Sequence, residues 1–255
     1  MQQWKNSILF TLLGLISTLL FSCSNTEQAI NHALQQLPAK TQQAIVVLSK
    51  SWSSSDGQLQ RYEKSQGKWQ PIGQAFAVKL GRNGLAWGRG LHSLEGLSGF
   101  KQEGDGKAPA GVFKLGSSFG YSAEALSGQR YPYKQATERD YYIDDVNSPD
   151  YNRWVHIDSD VSNTPKAYWH SFERMRRDDG LYALGLEVEH NKSPIEKMAG
   201  SAIFMHIWKD KTTSTSGCTA MDKDNLISLL KWLDADKQPL LVQVPVDGLN
   251  SIKLN

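Results

Sequence analysis

The chain has 255 residues, with 28 Lys+Arg against 26 Asp+Glu, 40% hydrophobic residues and two cysteines. This near-average composition excludes a disordered, collagen-like or multi-span membrane protein, and a formal charge of +2 gives no basis for nucleic-acid binding. Two cysteines are too few for a disulfide scaffold or a four-thiolate zinc site.

The chain opens with Lys5 and a 14-residue, mostly apolar run from Ile8 to Phe21, too short for a confident membrane span. Residues 1–22 therefore read as an export signal. Leu20-Phe21-Ser22-Cys23 resembles a bacterial lipobox, although Phe21 departs from the small or β-branched residue usual there. On that reading Cys23 is the lipid-attachment site and anchors the protein to the membrane in the periplasm. Ser24 after it resembles the residue of lipoproteins sent to the outer membrane. The alternative is an ordinary signal peptide with Cys23 incidental. Residues 23–40 are polar and read as a tether with room for one short helix; His32 there is a solvated side chain.

Residues 41–250 form the expected globular domain. Ala44–Ser49 (AIVVLS) reads as a strand, followed by Trp69–Ile72 and Ala75–Leu80 between Gly, Ser and Asn turns. His92 falls in a glycine-rich turn without a partner at metal-ligand spacing. Tyr141–Ile143 and Trp154–Ile157 are candidate strands flanking a turn-like acidic stretch that lacks the glycine and glutamate of a calcium loop. His156 and His170 read as packing or surface residues. Leu181–Val188 and Ala202–Trp208 (AIFMHIW) read as buried strands, and Lys209–Gly217 as a polar loop. Leu226, Leu229, Leu230 and Leu233 repeat at i, i+3, i+4 and i+7, as one helix face does. Leu240–Val244 (LLVQV) is a last strand. The fold class is mainly β (α+β), a β-sandwich or barrel-like core with peripheral helices.

Cys218 lies between the polar loop and the leucine helix, where Thr219-x-x-Asp222 outlines a capping box or Asp222 is itself the cap. At a helix N-terminus a thiol pKa of about 8.5 can fall to roughly 3.5–7.5. Gly217 permits a tight turn, and the amides beside Cys218 could form an oxyanion hole. A thiolate nucleophile needs a base, for which His206 is the candidate. From spacing alone a buried structural cysteine and a satisfied core histidine are the favoured alternative, because cysteine is commonly buried.

Gly200–Trp208 with Thr215-Ser-Gly-Cys218-Thr-Ala-Met221 resembles the catalytic motif of the L,D-transpeptidases, the YkuD-like family. Glu103–Phe113 with Phe119-Gly-Tyr121, and Asp144-Asp145 through Tyr151-Asn152-Arg153, resemble one branch of it. The resemblance implies a YkuD-type β-rich core, Cys218 as nucleophile and His206 as general base and acid. It also implies an oxyanion hole from the Gly217 and Cys218 amides, and an imidazole oriented by a backbone carbonyl, with Ser216 the nearest guess. The implied partner is a peptidoglycan stem peptide, with no metal or organic cofactor. Thr219-Ala220 stand where much of the family has an aliphatic residue and arginine; if that arginine helps hold the donor stem peptide, this chain uses another cation, with Arg153 and Lys209 the candidates, or binds a different peptide. The implied reaction is L,D-transpeptidation, with an L,D-carboxypeptidase or amidase as alternative and an inactive wall-binding lipoprotein as a third reading.

Overall fold

The computed structural model describes residues 25–158 and 164–254. The expected export signal, the lipobox-like segment and Cys23 lie outside the described residues.

Among the described residues, alternating and fully apolar runs fold into thirteen strands. Eight of them, β1 (Gln43–Ser49), β2 (Asp56–Ser65), β3 (Lys68–Lys79), β5 (Ala108–Gly120), β10 (Leu184–Val188), β11 (Phe204–Ile207), β12 (Thr219–Met221) and β13 (Leu240–Pro245), form a closed ring. Its order is β10-β11-β12-β3-β2-β1-β13-β5, and the β10–β5 pairing closes it. Closure removes free sheet edges, and the inward side chains fill the centre. β4 (Leu85–Trp87) and β6 (Tyr133–Gln135) extend β5. β7 (Asp140–Tyr142), β8 (Trp154–His156) and β9 (Glu173–Arg174) make a separate three-stranded sheet in the order β8-β7-β9.

β3 runs unbroken through Gly73, where the sequence suggests two strands and a turn. Gly73 has φ +67°, and the β2–β3 register shifts there as at a β-bulge. The helix α2 (Lys223–Trp232) buries Leu226, Leu229 and Leu230, with Leu233 just after it, and Asp222 caps it by accepting from the Asp224 amide at 2.9 Å. Residues 25–35, in the stretch read as a tether, are helical (α1), and Ala33, Leu34 and Leu37 join the main core. Over those residues the chain is packed against the domain. Among the described residues no helix is long and apolar enough to cross a membrane.

Candidate active site

β11 and β12 run side by side and parallel, with His206 opposite Ala220 and Met205 opposite Thr219. Parallel neighbours need a long crossover, and the polar loop Lys209–Gly217 supplies it. The loop is stitched to the chain after β3: the Thr215 amide donates to Leu80 O at 2.9 Å, and the Arg82 amide donates to Thr215 O at 2.8 Å. Thr215 Oγ1 then donates to Cys218 O at 2.7 Å and accepts from the Gly217 amide at 3.1 Å. Gly217 sits at φ +153°, where a Cβ would lie 3.0 Å from Lys107 O, so glycine is required at that approach.

Cys218 is thus set immediately before β12 and four residues ahead of the helix cap. The expected placement at a helix N-terminus does not hold, because a three-residue strand intervenes. The thiol is 8% exposed. Its Sγ donates to Ala202 O at 3.5 Å and accepts from the Phe204 amide at 3.4 Å. Burial pushes the thiol up to about 12, opposite to the depression a helix terminus would produce.

His206 is 7% exposed and packs edge-on against Tyr182, ring centroids 5.2 Å apart. Burial lowers its imidazole to about 4. Nδ1 lies 2.8 Å from Ile207 O; a carbonyl only accepts, so the neutral ring carries its proton on Nδ1. Nε2, then unprotonated, has no partner among the described residues. The orienting carbonyl is that of Ile207 and not of Ser216, whose Oγ instead accepts from Arg82 Nη1 at 2.9 Å. The Gly217 amide, expected to face an oxyanion, instead donates to Thr215 Oγ1 at 3.1 Å.

The distant segments flagged by their resemblance converge behind the thiol. Tyr151 Oη donates to Glu103 Oε2 at 2.5 Å and accepts from the Gly200 amide at 3.2 Å, while Ser201 Oγ reaches the same Glu103 oxygen at 2.7 Å. Asn152, buried, donates to His190 O at 3.1 Å and Asn191 O at 2.7 Å, and its Oδ1 accepts from the Ala202 amide at 3.3 Å. Ala202 is held at φ +53°, which costs a non-glycine residue energy and aims its carbonyl at Sγ.

His206 and Cys218 line one cavity of about 460 Å³ together with Lys209, Ser216 and Gly217. Arg153 does not line it and is exposed elsewhere. Besides Lys209, six charged residues line the wall: Glu103 and Asp144 fall in the segments quoted for their resemblance, whereas Arg82, Lys101, Glu173 and Arg177 were not singled out by the sequence. These six come from four separate stretches of chain, and no local pattern joins them. Burial raises the carboxyls of Asp144 and Glu173. Among the described residues no group of three His, Cys, Asp or Glu side chains could hold a metal ion. His92 is buried between Trp87 and Phe113, and His156 is half-exposed beside Asp140.

Residues 52–246 match the YkuD family, described as the L,D-transpeptidase catalytic domain. The search of curated proteins gives no match. Among solved structures, the chain is similar to the helical cell shape determining protein Pgp2 from Campylobacter jejuni, at 15% identity and a TM-score of 0.37. That similarity covers 80% of this chain and 48% of the other, so this chain spans about half its length.

Proposed function

The chain belongs to the YkuD family of L,D-transpeptidase catalytic domains, and from that premise we propose that it is a cysteine-dependent acyltransferase acting on peptidoglycan stem peptides. The observation that carries the reading is the placement of His206 on β11 and of Cys218, immediately before the adjoining β12, in the wall of one cavity.

Both groups are neutral at rest, since burial raises the thiol and lowers the imidazole. The reaction therefore starts with proton transfer, not from a standing thiolate. Sγ leaves the Ala202 carbonyl, gives its proton to Nε2 of His206 and attacks the carbonyl carbon at the L-centre of the third stem residue. The Cys218 amide donates to the developing oxyanion, a contact worth about 3–4 kcal/mol in measured systems. The C–N bond breaks, the amine of D-alanine takes the proton from His206, and a thioester remains. An acceptor amine then gives a proton to Nε2 and attacks the thioester, restoring the thiol. Ile207 O stabilises the imidazolium formed in both halves through Nδ1–H.

Residues 1–22 and Cys23 serve in this reading as export signal and lipid anchor, holding the domain at the periplasmic face of a membrane.

The test is incubation of the purified protein with disaccharide-tetrapeptide. Release of D-alanine, an acyl adduct on Cys218 and cross-linked dimers are expected. Trimmed monomers without dimers would make water the acceptor and the enzyme a carboxypeptidase. No release and no adduct would sink the proposal and leave a wall-binding protein.

A further inference from the structure

Four cations line the cavity, and they differ in how their charge is spent. Lys101, buried, holds Asp105 at 2.8 Å. Arg177 is clasped by Asp179 at 2.6 Å and Glu173 at 3.1 Å. Arg82 has no carboxylate partner among the described residues. Its Nη1 donates to the neutral Ser216 hydroxyl at 2.9 Å, two residues before the nucleophile, and its amide donates to Thr215 O at 2.8 Å. The guanidinium lies over Gly106, where a Cβ would come within 3.0 Å of Nε and Cζ. Lys209, the remaining cation, has no hydrogen bond or ion pair among the described residues, so nothing fixes its ammonium.

The proposed reaction releases the last residue of a peptide, and this inference rests on that reading. The carboxylate of that residue lies within about 4 Å of the attacked carbon. Whatever reads it must flank the thiol. We propose that Arg82 is the specificity-determining residue that holds the terminal carboxylate of the donor peptide, with Ser216 as its positioning residue. A guanidinium presents five donors in a rigid fork. One is used on Ser216, and the others remain for a carboxylate. Because Arg82 is exposed at the rim, solvent screening keeps its contribution modest. The site thereby replaces the missing arginine after Cys218 with one from the β3–β4 connection.

The experiment compares tetrapeptides ending in a free carboxylate and in a carboxamide. The wild-type protein is expected to prefer the acid by about tenfold in kcat/KM. Arg82→Ala should erase that preference by slowing the acid alone, and Arg82→Lys should keep part of it. A second readout needs no turnover: the ratio of Cys218 alkylation rates by iodoacetate and iodoacetamide should fall in Arg82→Ala. If the wild type processes neither peptide but the alkylation ratio falls, the proposed reaction fails while the anion subsite stands. An unchanged ratio and preference in Arg82→Ala overturn the assignment, as does loss of the preference in Lys209→Ala in its place.

Discussion

Two histidines lie almost fully buried a short way apart in the chain, and they spend their nitrogens differently. His190, just past β10, accepts from the Arg89 amide on Nδ1 at 3.1 Å and donates from Nε2 to Ala199 O at 2.9 Å. His206, on the strand beside β10, uses only Nδ1. Burial drives both toward the neutral form, to about 3 and about 4. Low exposure therefore does not separate the two imidazoles; what sets the proposed base apart is unspent hydrogen-bonding capacity beside a cavity. His190 has none left and ties the Gly200 turn to the barrel. His206 keeps one nitrogen for a proton.

That contrast breaks most sharply on activity. His206→Gln should lower kcat/KM for D-alanine release by about 10²–10⁴-fold while moving the urea midpoint little. An equal loss of stability and activity would make His206 another His190. The reverse experiment is His190→Ala, expected to cost about 2–4 kcal/mol in urea unfolding, because the Arg89 amide and the Ala199 carbonyl lose their partner and a ring-sized void remains.

A titration sharpens the same point. Both imidazoles should show no NMR titration from pH 8 to pH 5, since each folded pKa lies below the unfolded value of about 6.5. With the thiol pushed up to about 12, alkylation of Cys218 by iodoacetamide should climb about tenfold per pH unit through pH 10. A plateau near neutral pH would place a standing thiolate there and reverse the order of the first step. The smallest expected effect is Thr215→Val, about 1 kcal/mol of stability from two lost hydrogen bonds around the loop before Cys218. It should also free the Gly217 amide, read as a changed acylation rate.

Much of the barrel was legible because its signals are local. Ala44–Ser49, Leu240–Val244 and the run ending at Trp208 are apolar enough to be buried strands wherever they pair. The leucines of α2 declare one face at helical spacing. β3 misled because Gly73 reads as a turn when only the pairing with β2 can turn it into a bulge. β12 is three residues long and shows no period, so Cys218 read as a helix-terminal thiol with a lowered pKa, whereas burial pushes it up. Arg153 is adjacent in sequence to Asn152, whose side chain holds the Ala202 amide, yet Arg153 does not line the cavity.

By itself the sequence pointed to Cys218 and His206 as the candidates for the proposed chemistry and to the apolar runs that flank them, since all of these are properties of short stretches. Only the tertiary structure decided their protonation, orientation and companions. Desolvation of the thiol, the Ile207 carbonyl on Nδ1, the strained Ala202 behind Sγ and the free fork of Arg82 all depend on groups brought together across the closing barrel. Those interactions act through space over a few ångströms, and no period along the chain encodes them.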